Sequence, residues 1–211
     1  MPLDNIPKIW HQIARRDIAS IAIHWTKTKI AVSDDNFIST EPQPEKTALD
    51  ILYDILKASC LLGNNGYIKG GHKCVCFTEA PLTEMVAMFA IAALDTNEYS
   101  LKYKPFGVGV SKEWLFNKGG RPVIYQPDNE YDQLPEYFQW RHCRYEPPKI
   151  DFTWEREWRI SVEKLEICSS QTWIFVPTSE IAQNIAVKFP KWRVMPLDLI
   201  GLPDINYLNM K

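Results

Sequence analysis

The sequence predicts an α+β fold, with mixed, largely antiparallel split β-sheets and flanking helices. Three observations lead there. Strand-like runs rich in β-branched and aromatic residues, such as Ile21–Thr26 and His72–Thr78, are interleaved with helical stripes in an irregular order, unlike the even β-α-β alternation of a Rossmann fold. The longest apolar stripes, through Leu49, Leu52, Ile55 and Leu56 and through Met85, Met88, Phe89 and Ala92, recur at helical spacing. The chain has 211 residues, 45% of them hydrophobic, with 8 Trp, 9 Tyr and 9 Phe; that supports a sizeable core and excludes a disordered chain. One domain over 1–211 is expected. It comprises a leading helix at 1–20, a core at 21–165 that carries the candidate catalytic residues, and a C-terminal hairpin and helix at 166–211.

In chain order, Ile9, Trp10, Ile13 and Ile18 suit a leading helix, and Ile21–Thr26 a strand. Asp34–Pro44 is a polar loop. Thr47 fits an N-cap for the Leu49–Leu56 helix, which the turn residues Gly63-Asn64-Asn65-Gly66 follow. The strand His72–Thr78 is entered through Gly70-Gly71, and after Pro81 the spacing predicts a helix to Leu94 with Thr83 as cap. Phe106–Val110 is a strand, and its G-x-G lacks the third glycine and basic residue of a phosphate loop. Ser111 caps a short helix over Lys112–Lys118, and Pro122–Tyr125 is a short strand. Pro135 starts a helix to Tyr145 that Pro147-Pro148 stops. The strand Asp151–Val162 pairs with Thr172–Val176 as a hairpin, Thr178 caps a helix to Phe189, and Trp192–Met195 is the last strand.

The 24 Lys+Arg against 26 Asp+Glu argue against a dedicated nucleic-acid binder, leaving room for a local basic groove. Met1–Lys8 lacks the apolar stretch of a signal peptide, and the longest apolar run is too short to span a bilayer, so a soluble cytoplasmic protein without membrane association is expected. His72, Cys74 and Cys76 share a strand face, and Cys143 follows a histidine. With no paired C-x-x-C motif, these thiols read as buried rather than as ligands of a metal.

The stretch D-F-T-W-E-R-E-W-R-I-S-V at 151–162 carries the chemistry. As a strand it places Glu155, Glu157, Arg159 and Ser161 on one face, with Arg156, Trp158, Ile160 and Val162 on the other. Adjacent carboxylates on a strand repel and need a reason. They are either a solvated face on which Arg159 partly neutralises Glu157, or a carboxylate pair lining a cleft.

His24-Trp25-Thr26 with the helix that follows, the strand C-V-C-F-T-E-A-P-L at 74–82, and Glu155-x-Glu157 resemble, in order, three motifs of the diphtheria-toxin and poly-ADP-ribose type of ADP-ribosyltransferases. F-T-E-A-P-L, G-V-G-V-S-K-E-W-L, R-P-V-I-Y and W-E-R-E-W-R-I resemble the motif order of the AbiGi group of bacterial abortive-infection, phage-resistance proteins, over most of 20–165. The resemblance implies an ADP-ribosyltransferase-like fold and a toxin or effector of antiphage defence. Such an enzyme would use NAD as substrate and modify a protein or nucleic-acid acceptor. Glu157 would stabilise the positive charge that develops on the ribose as nicotinamide leaves, and Glu155 would assist the acceptor. His24 would bind a ribose hydroxyl, Thr26 or Thr78 the nicotinamide amide, and Arg159 the diphosphate.

Two other readings stand beside it. A non-catalytic antitoxin or sensor subunit would bind a partner protein, a cognate toxin or antitoxin, with the Glu155/Glu157/Arg159 face as polar interface and exposed aromatics as anchors. A metal-dependent nuclease on Asp151, Glu155 and Glu157 has no second acidic cluster to support it.

Overall fold

Ile21–Lys27 (β1) is a strand because its β-branched and aromatic side chains leave little room for a helix, and Ala22, Ile23, Trp25 and Thr26 are buried along it. This computed structural model describes residues 19–27, 46–94 and 103–203. The expected leading helix and the polar loop Asp34–Pro44 lie outside the described residues.

The helix Ala48–Ala58 (α1) starts where Thr47 predicts. Asp50 N–H donates to the Thr47 hydroxyl at 3.1 Å and Thr47 N–H donates back to the Asp50 carboxylate at 3.1 Å, a reciprocal cap. Ala48, Leu52, Ile55 and Leu56 form its buried stripe. Burying a leucine such as Leu52 contributes about 1.5–3 kcal/mol. Ser59, left-handed at φ 51°, ends the helix, and the chain goes straight into the short strand Cys60–Leu62 (β2).

Cys74–Thr78 (β3) leads through Pro81 into the helix Leu82–Leu94 (α2). Met85 N–H bonds the Pro81 carbonyl, so Thr83 sits inside the first turn, not at the cap. Tyr103–Ser111 (β4) is buried at seven successive positions, as befits a strand covered on both faces. Ser111 caps Lys112–Asn117 (α3) as expected, accepting from Trp114 N–H. The predicted strand Pro122–Tyr125 is two pieces, Arg121–Pro122 (β5) and Ile124–Gln126 (β6).

The predicted helix from Pro135 to Tyr145 is replaced by 3-10 turns at Asp128–Gln133 and Glu136–Arg141 and a strand, His142–Arg144 (β7). Prolines at 127 and 135 stand before both turns, and neither turn has a side-chain cap. Glu157–Ser161 (β8), Lys164–Glu166 (β9), Thr172–Val176 (β10), the helix Ser179–Lys188 (α4) capped by Thr178, and Arg193–Pro196 (β11) complete the chain's elements.

The strands form one seven-stranded sheet in the order β11-β10-β4-β1-β3-β8-β5 and two two-stranded sheets, β2-β9 and β6-β7. The architecture is α+β, with β1–β3, β3–β8 and β5–β8 antiparallel and β10–β11 and β6–β7 parallel. The expected hairpin between the Asp151–Val162 stretch and Thr172–Val176 does not form. Both edges of β8 are taken by β3 and β5, while β10 runs through α4 into a parallel pairing with β11, Phe175 opposite Met195.

The described residues fall into two compact units. The first holds residues 19–24, Leu61–Met85 and Gly109–Leu165. Its core includes Val75, Phe77, Leu115 and Ile160, all nearly inaccessible. In the second, Trp25 packs edge-on to Phe89 with ring centroids 4.9 Å apart and lies 5.9 Å from Phe175, and Leu52, Phe106 and Ile185 are also fully buried. No helix among the described residues is long and apolar enough to cross a membrane.

Candidate functional site

β8 begins two residues later than the glutamate pair requires. Thr153–Glu155 is a 3-10 turn, and Arg156 is left-handed at φ 46° before the strand opens at Glu157. A side chain other than glycine in that region costs on the order of 1–2 kcal/mol, so the surrounding structure holds it there. The Thr78 hydroxyl contributes by donating to the Glu155 carbonyl, and Glu79 N–H donates to the Arg156 carbonyl at 3.3 Å. This breaks the expected alternation. Glu155 belongs to the turn and is not a same-face strand neighbour of Glu157.

From Glu157 onward the strand follows its period of two. Thr78 stands opposite Glu157, Phe77 opposite Trp158 and Cys76 opposite Arg159. Thr78, Cys76, Glu157 and Arg159 therefore share one face, and Phe77 and Trp158 the other. Arg159 grips Glu157 with a two-point fork, Nε to Oε1 and Nη2 to Oε2, both at 2.8 Å. Its Nη1 donates to the carbonyls of His142 (2.6 Å) and Trp140 (3.2 Å). The side chains of Arg159 and Glu157 are only 6% and 11% exposed, so the pair is buried and not the solvated face considered above.

Burial opposes the Arg159 charge, but the bonds to Glu157 outweigh it and hold the guanidinium above its usual value. The same enclosure acts on the thiols beside the pair. Burial, then the Glu157 charge, pushes Cys143 up to about 12 and raises Cys76 well above a free thiol. Tyr125 caps the start of the strand: its hydroxyl oxygen accepts Glu157 N–H at 3.1 Å, and burial raises its own pKa.

His24 is on the other side. Its ring packs against Phe77 with centroids 6.0 Å apart, and its Nδ1 donates to the Cys76 carbonyl at 2.8 Å. The register Ile23 opposite Thr78 agrees, because it puts residue 24 on the Phe77–Trp158 face. The structure thus brings together Thr78, Glu157 and Arg159, separates His24 from them by the thickness of the sheet, and moves Glu155 into a turn. Thr26 lies in the second unit, where its hydroxyl donates to the Phe106 carbonyl at 2.9 Å.

Sequence reasoning missed a second polar pair in the first unit. Lys112 Nζ lies 2.7 Å from the Glu79 carboxylate, both side chains largely enclosed, and 5.9 Å from the centre of the Trp158 ring. The signal was the lysine that follows the helix cap in G-V-G-V-S-K-E-W-L. Cys143 and the carbonyls of Trp140 and His142 were also missed as surroundings of Glu157. No sequence pattern links them, since β7 and the preceding turn reach Arg159 through main-chain atoms. Among the described residues no group of three or more His, Cys, Asp or Glu is placed to hold a metal ion.

Both Glu157 oxygens and all three Arg159 nitrogens are engaged within the protein, so the two side chains form one buried, hydrogen-bonded pair. No family model, no curated protein and no solved structure matches the chain.

Proposed function

We propose that this chain is a non-catalytic, partner-binding subunit of a bacterial abortive-infection system, acting in the cytoplasm as an antitoxin or sensor for a cognate protein. The observation that carries this reading is the closed fork between Glu157 and Arg159, which leaves the carboxylate no free oxygen while His24 packs on the opposite sheet face. Aromatic anchors are on hand at the surface of the same unit: Tyr137 is 69% exposed, and Phe152 and Trp154 are also exposed. The antiphage setting rests on the resemblance of F-T-E-A-P-L and W-E-R-E-W-R-I to the AbiGi group. Co-expression with the product of the adjacent gene, followed by affinity purification, tests the role. A stable complex whose formation survives neutralising Glu157 and Arg159 together is expected. A chain that purifies alone and leaves phage sensitivity unchanged sinks it.

One observation favours the transferase as a second reading: the strands of the three motifs, β1, β3 and β8, are consecutive in the sheet. In that reading an NAD-dependent ADP-ribosyltransferase would act on a protein or nucleic-acid acceptor, and Arg159 would have to release Glu157. Labelled NAD incubated with protein and lysate discriminates the two. A labelled macromolecule that disappears in a folded Glu157→Gln variant supports the transferase.

A further inference from the structure

Two arginines of the first unit, Arg121 and Arg141, lie close enough for their charges to interact. The Arg121 guanidinium lies over the Phe116 ring, 3.8 Å from its centroid, and donates only through Nη1, to the carbonyls of Gly120 (2.6 Å) and Phe116 (2.9 Å). Arg141 donates through Nε to the carbonyl of Pro122, the residue after Arg121, at 2.9 Å. Its guanidinium sits 5.3 Å from the centroid of Phe138, whose ring packs on Tyr137 at 4.3 Å. Among the described residues neither arginine enters an ion pair. Burial, and after it the charge of Arg121, pushes the Arg141 guanidinium below its ordinary value. The rings that carry the two cations are open to solvent: Phe116 is 50% exposed and Phe138 37%.

Two like charges held together by main-chain carbonyls repel each other, and among the described residues no carboxylate pairs with either of them. Among the described residues, Nε and Nη2 of Arg121 and both Nη of Arg141 remain as donors. We infer that Phe116, Arg121, Phe138 and Arg141 form a docking site for an acidic peptide segment of the partner protein. Its carboxylates meet the two guanidinium forks, and its apolar side chains meet the exposed rings. The site deepens the partner-binding reading above and rests on it. An acidic peptide fits better than a nucleic acid for two reasons. The chain carries 24 Lys+Arg against 26 Asp+Glu and so lacks the basic excess that a continuous phosphodiester chain draws on, and the exposed Glu113 and Glu136, on the same two elements as Phe116 and Phe138, confine favourable charge to one or two carboxylates placed on the guanidinium forks. A guanidinium backed by an aromatic ring is pre-organised for a single planar carboxylate, and Arg with aromatic neighbours carries much of the energy of protein interfaces.

A random-peptide display library selected on the full chain tests this, with the Arg121→Gln/Arg141→Gln variant in parallel and circular dichroism reporting its fold. Enrichment of peptides with Asp or Glu beside an apolar residue is expected, with at least a tenfold loss of affinity for those peptides in the double variant. Arg141→Lys, which keeps the charge and removes the fork, is expected to lose part of that affinity and guards against misfolding of the double variant. Enriched peptides without acidic residues, or acidic peptides that bind both variants equally, overturn the docking site while leaving the partner-binding role to the co-purification test. Tighter binding of a labelled oligothymidine than of any selected peptide overturns it in favour of a nucleic acid.

Discussion

Arg159 and Glu157, two residues apart on one strand, close a planar two-point ion pair, and the third arginine nitrogen ties that pair to the main chain at Trp140 and His142. Removing one partner leaves the other charged in an enclosed site. Glu157→Gln is expected to lower the unfolding free energy by about 3–5 kcal/mol, whereas replacing both residues by apolar ones of similar volume is expected to cost far less. Urea midpoints at constant slope measure both, and equal losses in the two proteins would contradict the assignment.

The thiols around the pair make stability depend on alkaline pH. In the folded chain Cys143 is raised to about 12 and Cys76 is raised as well, while in an unfolded chain a thiol titrates near 8.5. Between about pH 8.5 and 12 the unfolded state therefore binds fewer protons than the folded one. The stabilisation is fully present below the lower value and lost as pH rises towards the upper one. Melting temperatures recorded across that window should fall steadily, and a Cys143→Ala variant should fall less.

Accessibility gives the same cysteines a chemical signature. Cys168 is exposed, Cys60, Cys74 and Cys143 are buried, and none is bonded to another. A thiol reagent at neutral pH should modify Cys168 quickly and the buried thiols only on unfolding. Mass spectrometry of the partly labelled protein identifies the first site.

Gly63 is held close to the connection between β8 and β9. Its N–H donates to the Glu163 carbonyl at 2.8 Å, and a β-carbon at 63 would overlap the Val162 carbonyl oxygen. That oxygen belongs to the backbone and cannot rotate aside. Gly63→Ala is expected to destabilise the fold by about 1–3 kcal/mol, comparable to overpacking in a core. Gly119→Ala meets no such atom, so any cost there comes from its left-handed backbone alone.

Loss of the cap at Thr47 offers a control far from the ion pair in sequence. Thr47→Ala removes the acceptor for Asp50 N–H and is expected to cost about 0.5–2 kcal/mol, with Thr47→Ser nearly neutral. Thermal melts followed by helix ellipticity measure it.

What could be read in the sequence was local. The caps at Thr47, Ser111 and Thr178 follow from spacing and side-chain chemistry within one turn, and the structure has them there; of the stripe Met85, Met88, Phe89 and Ala92, Met85 and Phe89 are buried and the other two half-buried. Two of the failures were non-local. Thr172–Val176 looked like the partner of the Trp158 strand by proximity, but pairing is set by which strand edges remain open, and those of β8 are filled by β3 and β5. At the site, Glu155 and Glu157 were assigned one face because alternation presumes an unbroken strand. The break at Arg156 depends on Thr78, 77 residues from the carbonyl it holds. No window around W-E-R-E-W-R-I contains that information.

The contact between Thr78 and residue 155 is made to a main-chain carbonyl, which every amino acid possesses. Selection acting through that contact cannot distinguish glutamate at 155 from any other residue able to form the turn. At 157 the demand is different, since only a carboxylate of the right reach satisfies Arg159. The two glutamates, separated by a single residue, are thus under separate evolutionary constraint: drift at 155 that keeps the turn should leave the ion pair untouched, while a change at 157 should persist only when 159 changes with it.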